Sequence, residues 1–457
     1  MAATFSQAIK SRRGVLAAVG LIVVIGALLR FHNLGDENLW YDEAASWSQA
    51  KDSLADLIKR TADDNYPPLH NLALFAIIKL FGDSEWCLRL PSVIFGVANI
   101  IALYWLGAIT VGRAAGLMGA VLLALSPFHL WYSQEARPYS LLALCATLYA
   151  ATSFHYLRTP SFRRSVWVSL AGLALAYSHP YGALDWITIA VAFAVLVLPS
   201  QSPPARTMLV WMVSNIVIAA GFAPWALILM HRAHVLLADQ SLLAPISSFI
   251  SNFHRGLAGG RLLSSVVLIG VVLGIIGPVR RDVAVLCTWI VAPVAIGIVS
   301  TPIFIWRYVI GSLPPLLLLS AFGWTKYAKG WRGPILSTAI IAIAGLSLLW
   351  HKYVFYPKEN WRGVASFLDE RERSIDCVLV VPAYDAVVLD YYRRKYSSCQ
   401  WRATKLTDLP AETPASVLFG VFYPPFSPDY VDELRRRGWR DLERTDFRGI
   451  QVITFSR

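Results

Sequence analysis

The sequence predicts an α-helical polytopic membrane protein with about eleven transmembrane helices, followed by a small C-terminal α/β domain. Hydrophobic residues make up 56% of the 457-residue chain and charged ones only 15%, with a mean hydropathy of +0.51. Soluble domains carry about 25% charged residues. The apolar residues fall in blocks close to the ~20 that cross a ~30 Å hydrocarbon layer. Beyond residue 351 the character changes: 352–457 holds nearly half of the charged residues, and its apolar runs shrink to strand length.

The first block, Gly14 to Leu29, follows Arg12 and Arg13. No small-residue cleavage site closes it, and Arg30-Phe31-His32 leads into a polar loop, so it reads as a retained span rather than a signal. Further spans are expected near 90–110, 115–132, 138–157, 166–182, 183–199, 208–230, 261–279, 283–303, 308–325 and 333–351. Short loops among them hold Arg113; Arg158, Arg163 and Arg164; Arg206; Arg280 and Arg281; and Lys326, Lys329 and Arg332. With eleven spans every basic loop falls on one side, as the positive-inside rule requires. The first outer loop, 30–89, and the tail then share the opposite, extracytoplasmic side. The net charge of +12 is thereby explained by topology and implies no nucleic-acid partner. Pro67 to Gly82 is also apolar, but counting it as a span would reverse every later loop. At ~24 Å of helix it reads as an interfacial helix within the outer loop.

Two domains follow: a transmembrane domain over 1–351 and an extracytoplasmic α/β domain over 352–457. Within the tail, Cys377–Val381, Ala415–Phe422 and Gln451–Phe455 have the pattern of strands, and 361–372 and 429–437 that of amphipathic helices. No Gly-rich phosphate loop accompanies them. The five cysteines form no CxxC pair and no Cys/His spacing of zinc type. Cys145 and Cys287 lie in apolar runs as core residues, whereas Cys377 and Cys399 could pair if the tail is outside the cytoplasm.

Polar residues that break the apolar pattern are the candidates for chemistry. Trp40-Tyr41-Asp42-Glu43 opens the first loop, and a carboxylate at headgroup level can serve as a general base as well as solvate a loop. Tyr66-Pro67-Pro68-Leu69-His70 starts the interfacial helix, and proline suits a first helical turn. Glu85 and Arg89 close the loop. Glu135, Arg137 and Tyr139 stand between two spans, where charge is costly unless it is partnered or used. His179-Pro180-Tyr181 and Trp306-Arg307-Tyr308 repeat the theme at later corners. An ion-pair network at the span ends is the bland explanation. Arginines beside carboxylates also suit a phosphate-bearing ligand with a hydroxyl to deprotonate.

The order Trp40-Tyr-Asp-Glu43, Pro67-Pro-Leu69, Gly82-Asp-x-Glu85…Arg89-x-Pro-Ser92 and Ser126-Pro…Tyr132-Ser-Gln-Glu-Ala-Arg137-x-Tyr139 resembles a known group. It looks like a bacterial member of the GT-C class membrane glycosyltransferases of family 39, which is similar to protein O-mannosyltransferases and aminoarabinose transferases. Arg307-Tyr308 and Lys358-Glu-Asn-Trp-Arg-Gly363 resemble later landmarks of the bacterial branch. The resemblance implies a multi-pass enzyme of the cell inner membrane that uses a polyprenyl-phosphate sugar. Its acceptor would be a lipid, glycan or protein on the outer face. It implies Asp42 as base with Glu43 beside it, Glu135 as a second acid, and Arg89, Arg137 and Arg307 on the donor phosphate. Tyr66, His70, Tyr139 and His179 join the substrate-binding set by position. In aminoarabinose transferases a lysine precedes the Pro-Pro pair, and Tyr66 stands there instead. No cofactor is required if arginines hold the phosphate, although Asp42 and Glu135 could bind Mg²⁺. A carrier of lipid-linked sugars is the competing class, but the chain shows no internal repeat of transporter type; a non-catalytic relative is the third reading.

The topology yields the first prediction. Cysteines placed at Arg60 and Ser84 are expected to react alike with an impermeant thiol reagent added from outside. Reaction at the first site alone would make 67–82 a span.

Overall fold

The computed structural model describes residues 11–64, 66–197, 204–237, 260–278, 280–300, 306–328, 330, 332–354, 358–371, 377–393, 400–402, 417–422 and 429–456. They divide into two compact units, 1–32, 53–82 and 87–355 in one, and 33–52, 83–86 and 356–457 in the other. The 20-residue segment 33–52 and the short 83–86 thus cluster with the C-terminal residues rather than with the rest of the first loop.

Its helices are α1 (Arg12–Phe31), α2 (Tyr41–Ala50), α3 (Leu54–Ala62), α4 (Leu69–Phe81), α5 (Glu85–Thr110), α6 (Arg113–Leu125), α7 (Pro127–Ser133), α8 (Tyr139–Arg158), α9 (Phe162–Ala176) and α10 (Pro180–Ala192). After these come α11 (Ala205–Leu237), α12 (Arg261–Ile275), α13 (Arg281–Ser300), a 3₁₀ turn Trp306–Ser312, α14 (Leu313–Tyr327) and α15 (Arg332–Val354). A helix stands at each of the eleven expected spans. Among the described residues eight are long and apolar enough to cross a membrane, or nine if the bent pair α6–α7 counts as one. The helices α9 and α12 stop at 15 residues, about 22 Å, short of a full crossing. The helix α4 has 13 residues, about 20 Å, a length that fits an interfacial helix.

The transmembrane unit is layered by burial. In α8, 83% of the most apolar window is buried, against 17% in α1 and in α15. Leu16, Leu21, Leu28, Ile335 and Leu346 are exposed, the pattern of helices whose outer stripe meets hydrocarbon rather than water. Small residues let the inner helices touch. A Cβ on Gly107 of α5 would fall 2.4 Å from Gly116 Cα of α6, and one on Gly323 of α14 would collide with the Gly270 carbonyl of α12. Such contacts gain packing between helices where lipid supplies no hydrophobic drive.

The break at Ser126-Pro127 shapes the unit. Proline has no N–H to donate to Leu123, so the helix ends, and α7 leaves at 61° to α6. Ser126 Oγ caps the new helix by accepting from His129 N at 3.3 Å. Leu123 O accepts from Ser126 N at a long 3.4 Å, and both it and Ala124 O receive the fully buried Arg30, which donates to them at 3.2 Å each, and to Gly26 O at 2.9 Å. Arg30 further reaches His129 Nδ1 at 2.8 Å and Ser133 Oγ at 3.3 Å.

In the second unit α16 (Trp361–Glu370), α17 (Ala386–Tyr392) and α18 (Asp429–Arg436) pack on a five-stranded sheet. Its strands are β1 (Cys377–Val381), β2 (Gln400–Arg402), β3 (Val417–Phe422), β4 (Arg440–Phe447) and β5 (Ile450–Ser456), in the order β2-β1-β3-β5-β4. The pairs β1–β2 and β1–β3 are parallel; β3–β5 and β4–β5 are antiparallel. Ala44 of α2 joins Trp361, Val364, Leu368, Val388 and Leu389 in its core. This α/β domain is as expected, with β2, β4 and α17 added to it. Cys399 lies outside the described residues, and so does the question of a Cys377–Cys399 pairing.

Removing the clamp should expose its worth. Arg30→Met takes the side-chain donor from Ala124 O and leaves Leu123 O with the long 3.4 Å bond from Ser126 N, at about 2 kcal/mol in total. Thermal unfolding in detergent is expected to show that loss, and an unchanged midpoint would mean another group caps the break.

Candidate active site

Six of the expected residues meet in the transmembrane unit. The Arg137 guanidinium lies over the Tyr66 ring at 4.5 Å and near Tyr139 at 5.9 Å. Arg307 lies 5.8 Å from the Tyr139 ring and 5.6 Å from Tyr308. His179 sits edge-on to Tyr66 at 5.1 Å, with Tyr139 at 5.8 Å and Tyr308 at 5.5 Å. Tyr132 and Tyr181 complete the aromatic wall, 4.9 Å from Tyr139 and 5.8 Å from Tyr308. His70 is close enough to feel the charge of Arg137. Two arginines are therefore set among tyrosine rings, an arrangement that holds guanidinium groups in place by cation–π attraction.

Each side chain is delivered by a local device. Pro67-Pro68 starts α4, and Leu69 N donates to Tyr177 O at 3.2 Å, which ties that start to the end of α9. Gln134 Nε2 donates to Arg30 O at 3.0 Å and His32 O at 2.8 Å, anchoring the turn after α7. Arg137 N then closes onto Glu135 O at 2.8 Å, and Ser92 Oγ donates to Arg137 O at 3.2 Å. Arg89 is three residues before Ser92 on α5, hence on the same helical face, and is buried. Glu135 is buried as well. His179 caps α10 with Pro180 in the first turn, and Arg307 comes from the 3₁₀ turn before α14.

The histidines are neutral. Burial, with Arg137 nearby, lowers the His70 pKa to about 3; burial, with Arg137 and Arg307, does the same to His179. His179 Nδ1 accepts from Tyr181 N at 3.1 Å, so a neutral ring carries its proton on Nε2. That buried N–H has no partner among the described residues and is a donor for an incoming oxygen. Burial also raises the Tyr66 pKa, so the phenol stays protonated. Asp185, not singled out in the sequence, is buried on α10. A Cβ on Gly311 would lie 1.9 Å from Asp185 Oδ2, so this acid abuts the turn carrying Arg307. Arg89, Arg137 and Arg307 outnumber Glu135 and Asp185, and the surplus positive charge suits an anion.

The adjacent acids Asp42 and Glu43 belong to the other unit, in the first turn of α2, where the helix dipole favours negative charge. They differ sharply. Glu43 is fully buried and ion-paired to Lys358 Nζ at 2.8 Å; Asp42 is half-buried. Glu85 is likewise engaged, by Arg362 at 2.7 Å and the Tyr392 hydroxyl at 3.1 Å. The Lys358-Glu-Asn-Trp-Arg-Gly363 motif thus supplies both cations. No group of three or more His, Cys, Asp or Glu side chains suited to a metal occurs among the described residues.

Residues 65–228 match the family model described as dolichyl-phosphate-mannose-protein mannosyltransferase. The chain superposes on ArnT from Cupriavidus metallidurans in the apo state with a TM-score of 0.67 at 12% identity, covering 95% of this chain and 97% of that one. ArnT from the same organism bound to undecaprenyl phosphate gives 0.60 at 13% identity with the same coverage. The archaeal oligosaccharyltransferase AglB from Archaeoglobus fulgidus, in complex with an inhibitory peptide and a dolichol-phosphate, gives 0.59 at 12% identity over 89% of this chain and 69% of that one. The fold is that of a GT-C class membrane glycosyltransferase. No curated protein sequence matches the chain. The resemblance read from residues 40–139 is borne out by these matches.

The neutral histidines have a consequence for pH. Their folded pKa values lie below the ordinary 6.5, so as pH falls from 6.5 toward 3 the unfolded chain takes up protons first and stability declines. The melting temperature is expected to drop across that window, and to drop less in His70→Gln/His179→Gln. Equal pH slopes would show that both rings protonate in the fold.

Proposed function

We propose that this protein transfers a sugar from a polyprenyl-phosphate donor to an acceptor hydroxyl, with inversion, on the extracytoplasmic face of the bacterial inner membrane. The observation that carries the reading is the pair Arg137 and Arg307 among Tyr66, Tyr139, His179 and Tyr308. The relatives named above include one bound to undecaprenyl phosphate and one with dolichol-phosphate, lipid anions of the class such a cage fits.

In this mechanism Arg137 and Arg307, with Arg89, hold the donor phosphate, and charge-assisted bonds to it strengthen as the sugar bond breaks. The His179 Nε2–H adds a neutral donor. Asp42 takes the acceptor proton as that oxygen attacks the anomeric carbon, and the lipid phosphate leaves with the electron pair of the broken bond. Lys358 neutralises Glu43, which favours Asp42 as the base. Glu135 is the second acid, held beside Arg137 by the turn that joins them. Tyr66 places an uncharged ring under Arg137 where aminoarabinose transferases carry a lysine, so the donor is read as a polyprenyl-phosphate sugar without commitment to that amino sugar. The acceptor, a lipid, glycan or protein, contributes a hydroxyl.

Purified protein supplied with polyprenyl-phosphate sugars should release lipid phosphate. Asp42→Asn is expected to lower turnover by ~10²–10⁴-fold, the usual range for loss of a general base, with donor binding kept. Glu43→Gln should reduce the folded yield, because it strands Lys358, while turnover per folded molecule stays near normal. Full turnover in Asp42→Asn would remove the base assignment, and a dead but folded Glu43→Gln would transfer it to Glu43.

A further inference from the structure

At the other end of α8 from Tyr139 lies a second feature with a distinct chemistry. A groove of about 790 Å³ is walled by Trp105, Leu148, Trp167, Leu170, Ala171 and Ala174, with His155, Ser161, Arg163 and Arg164 at one end. Its volume is in the ~300–1,000 Å³ range of ligand sites. Trp167 and Leu170 are exposed, and Trp105 meets His155 edge-on at 5.7 Å. The groove belongs wholly to the transmembrane unit, formed by α5, α8 and α9.

We propose that this groove is a binding site for an anionic phospholipid of the bilayer, with the phosphate at Arg163, Arg164 and the start of α9 and one acyl chain along the apolar wall. Charge comes first. Between Glu85 and Asp185 the sequence holds a single acid, Glu135, which sits at the opposite end of α8. The basic end gathers Arg158, Arg163 and Arg164 with no carboxylate in the loop or its flanking helices. Arg164 also donates to Thr159 O, which holds its side chain at this corner. Ser161 caps α9, accepting from Arg164 N at 3.3 Å, so the positive end of the helix dipole adds to the arginines.

Length comes second. From Arg163 to Ala174 the wall rises ~16 Å along the helix, about half of the ~30 Å hydrocarbon layer, the depth of one leaflet. A soluble anion would use the arginines but leave Trp105, Leu148 and Leu170 in the groove unoccupied. Basic pockets between membrane helices recognise acidic headgroups in this way. The proposal is independent of sugar transfer, since none of these residues belongs to the candidate active site.

Native mass spectrometry of the full chain, released from mixed phosphatidylglycerol and phosphatidylcholine of matched acyl chains, tests the assignment. At roughly tenfold per 1.4 kcal/mol and about 1 kcal/mol per arginine, retention should favour phosphatidylglycerol by roughly 30-fold. Arg163→Gln/Arg164→Gln should bring the two lipids to parity. Ala171→Phe, which narrows the wall and keeps both arginines, should lower retention of phosphatidylglycerol. Parity in the unmodified protein, or an unchanged preference in the double variant, overturns the proposal. Displacement of bound lipid by equal concentrations of soluble glycerol phosphate would assign a headgroup-only anion site and overturn the acyl-chain contact.

Discussion

A backbone carbonyl in hydrocarbon must be given a donor, and the structure depends on how that demand is met at Pro127. Breaking a helix inside an apolar layer takes the helical partner from Ala124 O and leaves Leu123 O with a long 3.4 Å bond from Ser126 N, and water is not at hand to complete them. Arg30 answers with a guanidinium fork that reaches both, plus Gly26 O of its own helix. Gly96 leaves the room this needs: a Cβ there would meet Ser133 Oγ at 2.3 Å and Arg30 Nε at 3.1 Å. His129 passes the network on, from Arg30 at Nδ1 to Asn99 at Nε2, 3.2 Å away. With the bend fixed, Gln134 is fastened to the end of α1 and the turn Glu135–Arg137 has one place to go.

Electrostatics of the cage follow from the same scarcity of water. Protonated histidines beside Arg137 and Arg307 would add like charge to a buried site, so burial and repulsion together keep both rings neutral. The neutral state has a use, because a histidine whose Nδ1 is occupied by Tyr181 N must offer Nε2–H as a donor. Tyrosines suit this setting better than carboxylates. Their faces steady a guanidinium without cancelling its charge. The Tyr66 ring under Arg137 is the clearest case, since a lysine there would repel the arginine it now supports.

Much of the fold was legible because hydrophobic block length has one cause, the thickness of the membrane. Each expected span holds a helix, yet α9 and α12 are shorter than their blocks: α9 ends ahead of the His179-Pro180 helix start, and α12 ends ahead of Gly277, whose φ is +118°. The strand β4 was invisible: Arg440 to Phe447 is charged and mostly exposed, with no alternation to read. It sits at a sheet edge, where charge discourages pairing with another chain. The arginine and tyrosine sets were legible as polar residues at span ends, but their convergence was not. Asp185 is a single acid just inside the expected span 183–199, and its packing against Gly311 reveals it.

The two acids at 42 and 43 show why sequence could not rank them. Their neighbours in the chain are shared, and the difference is made by Lys358, 315 residues away. Lys358, just ahead of α16, and Arg362, in its first turn, stand four apart and reach Glu43 and Glu85 respectively. Arg362 also donates to Gly35 O and Asp36 O, and Tyr391 hydroxyl to Asp83 O. The α/β unit therefore holds segments 33–52 and 83–86 by several charged and polar contacts, with Ala44 seated in its core. Breaking a buried ion pair by removing one partner costs more than the pair contributes, so this clamp resists piecemeal loss. The α/β unit thereby makes two adjacent carboxylates unlike, burying Glu43 against Lys358 while Asp42 stays half-buried.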